Sequence, residues 1–460
     1  MKISLFNPSS ESPDGVANPP IGLIYLHSFL VKDGYDVNVH NYLWQDWSDA
    51  ETNILSDLNE EHPDVVGVQC MTYNRTAAVK LAKMAKQVFP KCKVVFGGVH
   101  ATVMYEQLLK NIPDIDFIVM GEGEITFPEL IANFDNPKNV KGIAFMKGKE
   151  IVVTEPRQQI EDLDILPMLN YELFLDDYKR AGRIHVSSSR GCFFRCLFCS
   201  TSHFWKNKWR ARSPKHVVDE LEMLVKVFPN KTFSFSDDYF TGDKKRVIDI
   251  CEEIVKRDIK IKWVCDTRID QLDEELVIHM KKAGCQMLGL GIESGSQKMM
   301  NALRKGYKRE DVIEKMKMCH KNGMMTATLL IVGTPGETRE DIEETKRFFS
   351  EVKKDNPHYN NKLEEVYRLW IFPGTPLYER AKSEGIIDDS YWLTEQKVPY
   401  YTKEWSYDVL RSRASEIVWH HHRLNGWGFI IRYALRGFVR NPFKFFKYVF
   451  ERKYLEVVFK

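Results

Sequence analysis

Short apolar runs alternate with segments whose apolar residues recur every three or four positions through the first 135 residues. Residues 3–6, 37–40, 65–68, 94–96 and 117–120 read as strands, and 22–32, 50–61 and 76–89 as amphipathic helices. This βα alternation predicts a flavodoxin-like, doubly wound parallel sheet. Ligands of such sheets bind beyond the carboxyl ends of the strands, here the segments 7–20, 69–75, 97–102 and 121–126. Two of these are glycine-rich, Gly97-Gly98-Val99-His100 and Gly121-Glu122-Gly123-Glu124. Glycine in such a loop lets backbone approach a ligand closely.

Residues 136–183 read as a hairpin about Lys147-Gly148-Lys149 followed by a linker. The βα period then resumes, with strand candidates at 184–188, 233–237, 262–265, 287–291, 326–332 and 366–372, each followed by a helix-length segment. After residue 388 the rhythm fails and aromatics accumulate, among them Tyr391, Trp392, Tyr400, Tyr401, Trp405 and Trp419. The expected organisation is therefore 1–135, a connector at 136–183, a second α/β domain at 184–388 and a mainly helical region at 389–460.

Composition narrows the class. With 460 residues, 43% hydrophobic and 28% charged, the chain is long enough for two or three globular domains. A net charge of +2 gives no electrostatic case for a nucleic-acid partner. Nine cysteines, three in one motif and the others scattered, do not form a disulfide framework, so a reducing, cytoplasmic compartment is expected. The segment Met1-Lys2-Ile3-Ser4-Leu5-Phe6-Asn7-Pro8 does not read as a signal peptide. No run of eighteen apolar residues predicts a spanning helix.

The chemistry is concentrated in Cys192-Phe193-Phe194-Arg195-Cys196-Leu197-Phe198-Cys199. Iron–sulfur clusters take thiolate ligands and are mostly held by four cysteines; here the next cysteine downstream is Cys251. Core cysteines or a structural zinc site are the plainer reading, but a closed zinc site needs four ligands. The CxxxCxxC spacing resembles the radical S-adenosylmethionine (SAM) superfamily. That resemblance implies a [4Fe–4S] cluster held by Cys192, Cys196 and Cys199, whose open iron is chelated by SAM, and a partial (β/α)6 barrel with its site on the carboxyl-end face. It also assigns later loops to SAM. Asp237 and Asp238 stand where the family binds the methionine ammonium, although local capping is the alternative. Glu293, Ser294 and Ser296 resemble the ribose-binding segment, Gly333 and Phe372 border the adenine, and Phe198 packs on that ring. Arg268 is a candidate for a carboxylate contact or, equally, a structural salt bridge. Lys305-Gly306-Tyr307 reads as scaffold.

Before this barrel, the phrases Asn18-Pro19-Pro20-Ile21-Gly22, Val94-Val95-Phe96-Gly97-Gly98-Val99-His100 and Gly121-Glu122-Gly123-Glu124 resemble the cobalamin-binding domain of many radical SAM enzymes. The DxHxxG motif that supplies a histidine to cobalt is absent, and His27, His40 and His100 sit in other contexts. The resemblance thus implies cobalamin with its own base displaced and no histidine in its place. Its contacts would come from Cys70, Met71, Thr72 and Tyr73 below the corrin, from Gly97, Gly98 and His100, and from Gly121, Glu122, Gly123 and Glu124. Cys70 and Tyr73 are placed nearest cobalt, with a core or solvent role equally open.

The implied activity is cobalamin-dependent methylation of an unactivated carbon under anaerobic conditions. One SAM methylates cobalt, and a second is cleaved to a 5′-deoxyadenosyl radical, with electrons from a flavodoxin- or ferredoxin-type donor. A non-methylating oxidative cyclase and a sensor without turnover are the alternatives. A methylthiotransferase is disfavoured, because its N-terminal domain brings a second cluster and only Cys70 and Cys92 are present there.

In the last segment Arg432, Arg436, Arg440, Lys444 and Lys447 recur among Phe429, Ile430, Leu435, Phe438, Phe443 and Phe446. This pattern suits a helix on the anionic inner face of a membrane, which would favour a lipid-like substrate, or a pair of helices packed on the enzyme with a basic solvated face. Otherwise the substrate class is a small molecule. His420-His421-His422 is not expected to bind metal, because consecutive helical residues diverge.

Overall fold

The computed structural model describes residues 1–10, 19–363 and 365–426. The chain divides into two compact units, the first comprising residues 1–242, 252–262 and 371–399, the second 243–251, 263–370 and those from 400 onward.

In the first unit β1 (Lys2–Asn7), β2 (Asp36–Asn41), β3 (Val65–Gln69), β4 (Lys93–Gly97) and β5 (Phe117–Val119) pair in parallel in the order β2-β1-β3-β4-β5. This is the flavodoxin-like order, and its reversal between β1 and β3 leaves a crevice at the strands' carboxyl ends. Side-chain alternation explains why both faces are covered. Ile3, Leu5 and Val95 pack with Leu23, Leu30 and Leu130 on one face. Phe6, Val66 and Val68 pack with Ile54, Leu58 and Leu81 on the other.

The hairpin expected in the connector belongs to this sheet. Its strands β6 (Ile143–Lys147) and β7 (Glu150–Val153) extend the sheet antiparallel from β5, making seven strands. The reason is burial: Ile143 and Phe145 oppose Val119 and Phe117 and join the same core, which the short strand β5 would otherwise leave open at its edge.

Further along this unit β8 (Ile184–Val186) pairs in parallel with β11 (Thr232–Phe235), and β9 (Ser189–Gly191) pairs antiparallel with β10 (Trp209–Ala211). The cysteine segment leaves β9 directly and ends at Cys199, the residue that precedes the helix Ser200–Phe204.

The second unit holds parallel strands β12 (Lys262–Thr267), β13 (Cys285–Glu293) and β14 (Met325–Val332), with β15 (Asn361–Lys362) and β16 (Val366–Arg368) pairing with opposite ends of β14. Helices Glu274–Lys282, Arg309–Lys321 and Arg339–Lys353 follow β12, β13 and β14. The last opens with a reciprocal Thr338/Asp341 capping box that satisfies otherwise orphaned amides.

Helix Tyr407–Leu424 packs in this unit through three histidines with three different partners. His420 Nε2 lies 3.0 Å from Ser350 Oγ, His421 Nε2 3.3 Å from Asn361 Nδ2, and His422 Nε2 3.3 Å from the Leu363 carbonyl. Burial lowers the His421 pKa to about 3, so this ring is neutral. The basic aromatic tail lies outside the described residues. Among the described residues no helix is long and apolar enough to cross a membrane.

Candidate functional site

A cavity of about 360 Å³ lies at the carboxyl ends of β1, β3, β4 and β5. Leu5, Leu23, Leu26, Val95, Val119 and Phe127 give it an apolar wall, and Gly97, Gly98, Gly121 and Gly123 present backbone to it. Gly98 has no substitute here: its φ is +100°, and a Cβ would stand 2.8 Å from the Cys70 carbonyl oxygen. Gly67 keeps the floor open, since a Cβ would meet Leu5 at 2.6 Å and Phe127 at 3.3 Å. Two buried polar atoms on the lining, Gln69 Oε1 and Tyr25 Oη, have no hydrogen-bond partner among the described residues.

The same cavity is lined by Ser187, Ser189, Arg190, Trp205, Ser236 and Asp238, residues that flank the cysteine segment or follow β11. Adjacent aspartates are used differently. Asp237 accepts hydrogen bonds from the Ser188 amide (2.7 Å), Ser188 Oγ (2.5 Å) and Ser189 Oγ (2.8 Å), and so holds the turn between β8 and β9. Asp238 accepts from the Gly191 amide at 3.1 Å and from Thr201 Oγ1 at 3.0 Å, and burial raises its pKa. Asp238 is therefore the member of the pair that faces the cavity.

Cys196 is buried and Cys192 and Cys199 are half-buried. Burial, reinforced by the proximity of the other two thiols and of Asp238, raises the Cys192 pKa to about 11. Burial also raises Cys199. Phe198, which precedes Cys199 in the chain, is half-buried.

The segment after β3 divides by residue. Met71 lines the cavity, whereas Cys70 is fully buried and its thiol is pushed up to about 12. Thr72 Oγ1 lies 3.3 Å from His100 Nδ1, and Tyr73 is exposed. His100 packs edge-on to Trp392, and burial with Arg75 nearby lowers its pKa to about 3. Neither Cys70, Tyr73 nor His100 belongs to the lining, while Gln69, outside the expected set, does. The Glu122 and Glu124 carboxylates line the cavity but are bound by Arg190, and Glu122 also by Arg210.

In the second unit, Glu293 ends β13 with a left-handed φ of +68°, and its carboxylate is 3.2 Å from buried Lys305 Nζ. That ion pair gives Lys305, read from sequence as scaffold, a definite electrostatic task. Ser294 Oγ lies 3.3 Å from Thr345 Oγ1, and Ser296 Oγ donates to Asp341 at 2.7 Å. Arg268 makes a two-pronged ion pair with Asp270, both bonds 3.0 Å. Gly333, with φ +93°, donates its amide to Glu337 Oε2 at 2.7 Å. Phe372, in the first unit, accepts at its carbonyl from Thr375 Oγ1 at 2.7 Å.

Comparison with known proteins decides what this geometry belongs to. A model of the B12 binding domain matches residues 15–131, and one of the radical SAM superfamily matches residues 186–349. The chain is 32% identical to the uncharacterized methyltransferase PH0819 of Pyrococcus horikoshii, over 96% of this chain and 98% of that one. The chain belongs to the B12-binding radical SAM enzymes. It is also 33% identical to the anaerobic magnesium-protoporphyrin IX monomethyl ester cyclase of Rubrivivax gelatinosus, over 77% of this chain and 65% of the cyclase. In fold it resembles the radical SAM methyltransferase TsrM of Kitasatospora setae, solved with cobalamin and a [4Fe–4S] cluster bound, with a TM-score of 0.69 at 20% identity over 83% of this chain and 75% of TsrM. The architecture is accordingly a cobalamin-binding α/β domain, a partial (β/α)6 radical SAM barrel and a helical C-terminal region.

The residues present fit this enzyme family's cofactors, a [4Fe–4S] cluster, SAM and cobalamin. An apolar wall, a glycine cradle with no room for Cβ at Gly98, and the orphaned Gln69 Oε1 suit a large planar ring system with polar edges. Three thiols on one segment suit a cluster. Among the described residues no three His, Cys, Asp or Glu side chains converge to hold a metal ion, so the first unit offers a thiol loop without a ready-made single-ion site. Sequence reasoning placed Gln69 in a ligand-facing segment without singling it out, and missed Tyr25, Arg190 and Trp205. Of these three Arg190 carried a signal, its place two residues before Cys192.

Proposed function

We propose that this radical SAM enzyme methylates an unactivated carbon of a small or lipid-like substrate, using cobalamin in the glycine-lined cavity and a cluster on Cys192, Cys196 and Cys199. The observation that carries this reading is the shared lining. Gly97, Gly98 and Gly121 border the same cavity as Ser189, Arg190 and Asp238, which lie beside the cysteine segment, although Cys192, Cys196 and Cys199 themselves do not line it. The methyltransferase name of the relative from Pyrococcus horikoshii supports the same outcome. When bound, the cluster supplies the electron that cleaves SAM, and cobalamin supplies the transferable methyl group.

The chain's own residues place and enclose these groups. Gly97, Gly98, Gly121 and Gly123, with Met71 and Gln69 on the same lining, would hold the corrinoid, and the apolar wall would limit water around it. Asp238 receives the methionine ammonium of SAM, while Asp237 holds the turn that presents it. In the second unit Glu293, with Ser294 and Ser296, would serve the ribose, and Arg268 would act through its pair with Asp270. Cys70, Thr72 and His100 support the cavity from behind, and Tyr73 remains at the surface. Electrons come from a flavodoxin- or ferredoxin-type donor in a reducing cytoplasm, and the basic tail tethers the enzyme to an anionic membrane face.

Anaerobic reconstitution followed by product analysis tests the reading. S-adenosylhomocysteine and 5′-deoxyadenosine are both expected, with a substrate mass gain of one methylene. 5′-Deoxyadenosine alone would replace methylation by the second reading, an oxidative cyclase, which the identity to the Rubrivivax gelatinosus cyclase favours.

A further inference from the structure

Arg190 occupies an unusual position in the first unit. It sits in the three-residue strand β9, immediately before Gly191 and Cys192, and β9 is pinned by β10 through Trp209↔Gly191 and Ala211↔Ser189. Gly191 admits no side chain, since a Cβ would stand 2.1 Å from the Lys208 carbonyl oxygen, and its amide is held by Asp238. The start of the cysteine loop therefore has little freedom of its own.

The Arg190 guanidinium reaches away from this strand to the other wall of the cavity. Nη1 donates to Glu122 Oε1 at 2.7 Å and Nη2 to Glu124 Oε1 at 2.5 Å. Its planar group lies 5.6 Å from the Tyr25 ring and 5.9 Å from that of Trp205. Trp205 directly follows the helix that begins after Cys199. One guanidinium thus touches the chain on both sides of the cysteine loop and two carboxylates of the glycine-rich turn after β5. Arg210 shares Glu122, at 3.0 Å, whereas the ion-pair partner of Glu124 is Arg190.

Two buried like charges tolerate one another only while a cation lies between them. A ligand that engaged Glu122, Glu124 or Tyr25 would compete for the guanidinium that also lies against Trp205, beyond the other end of the cysteine loop. We propose that Arg190 is a positioning residue that couples occupancy of the glycine-lined cavity to the geometry of the cysteine loop. The coupling is reciprocal: a loaded cysteine loop tightens the cavity's hold on a corrinoid by the factor with which the corrinoid favours the loaded loop. The inference rests on the proposed placement of the two cofactors, and not on the outcome of the reaction.

The test is a visible-absorbance titration of the full chain with hydroxocobalamin under anaerobic conditions, once with the cluster reconstituted and once after its removal by chelation. The ratio of the two dissociation constants measures the coupling. In the wild type, about fivefold or tighter binding to the cluster-loaded chain is expected. In the double variant Arg190→Met with Glu124→Gln, which removes the cation and one of the charges it balances, the ratio should fall to about one. Arg190→Lys, whose ammonium is a point charge and not a fork, should retain an intermediate ratio. Each ratio is internal to one protein, so a general loss of corrinoid affinity cancels. If the double variant does not fold, the lysine variant decides by the same comparison. The EPR spectrum of the reduced cluster, with and without hydroxocobalamin, should change in the wild type and not in the double variant. A wild-type ratio of one, or the same ratio in wild type and variants, would overturn the inference. Neither result depends on whether S-adenosylhomocysteine is formed, so failure of the methylation reading is scored separately.

Discussion

At the scale of single residues, neighbours of identical chemistry are separated by where their hydrogen bonds go. Asp237 and Asp238 look interchangeable in sequence, yet three serine donors saturate the first and leave the second on the cavity. Glu122 and Glu124 look like ligand groups and are committed to arginines. Gly98 is the residue whose requirement is most direct. Gly98→Ala would force a side chain into an extended positive-φ conformation (φ +100°, ψ 175°) that is essentially restricted to glycine, and against the Cys70 carbonyl, at a cost of about 1–3 kcal/mol from the backbone alone. Thermal unfolding should register that loss, and hydroxocobalamin titration a weaker affinity. An unchanged affinity would remove Gly98 from the cofactor cradle. The cysteine motif was legible because three thiols at fixed spacing have few structural uses. Gln69 was not, because an amide at the end of a strand has many.

At the scale of elements, alternation and periodicity placed the strands and helices within a few residues of where they lie, since buried faces impose their period directly on the chain. What periodicity does not carry is the partner of an edge. The hairpin at β6 and β7 reads as a connector until the exposed edge of β5 is seen to need it. The loop after β14 supplies a pH-dependent element. Glu337 is 4% exposed and holds the Gly333 amide, and burial, with Asp341 and Glu404 nearby and Lys298 opposing, raises its pKa from 4.5 to about 8. In the unfolded chain this carboxyl ionises near its ordinary value, whereas the folded chain keeps the proton until about pH 8. Stability is therefore full below the unfolded value and declines as pH rises through that window. Glu337→Gln, which retains the acceptor without the titration, should match the wild type near pH 5 and melt about 2–4 °C higher near pH 8.5. Parallel melting profiles across that range would mean Glu337 is not held protonated.

At the scale of the whole molecule, the glycine-lined cavity and the cysteine segment meet through Ser189, Arg190 and Asp238, which line the one and flank or hold the other. Replacing Cys192, Cys196 or Cys199 by alanine should abolish 5′-deoxyadenosine formation, measured by chromatography, and lower iron content. Hydroxocobalamin should still bind, about fivefold more weakly if the coupling through Arg190 holds. Complete loss of corrinoid binding in all three variants would mean that the cavity does not form without the cluster. The sequence by itself determined the βα architecture, the cysteine loop, the glycine turns and, through them, the family. Each of these is a local constraint: a period, a spacing or a missing side chain is written in consecutive residues. Only the tertiary structure decided which aspartate faces the cavity, that Gln69 and Tyr25 line it, and that Arg190 joins residues 66 and 68 positions away. Those outcomes depend on which distant groups compete for the same buried donors and charges, and that competition exists only once the chain has folded.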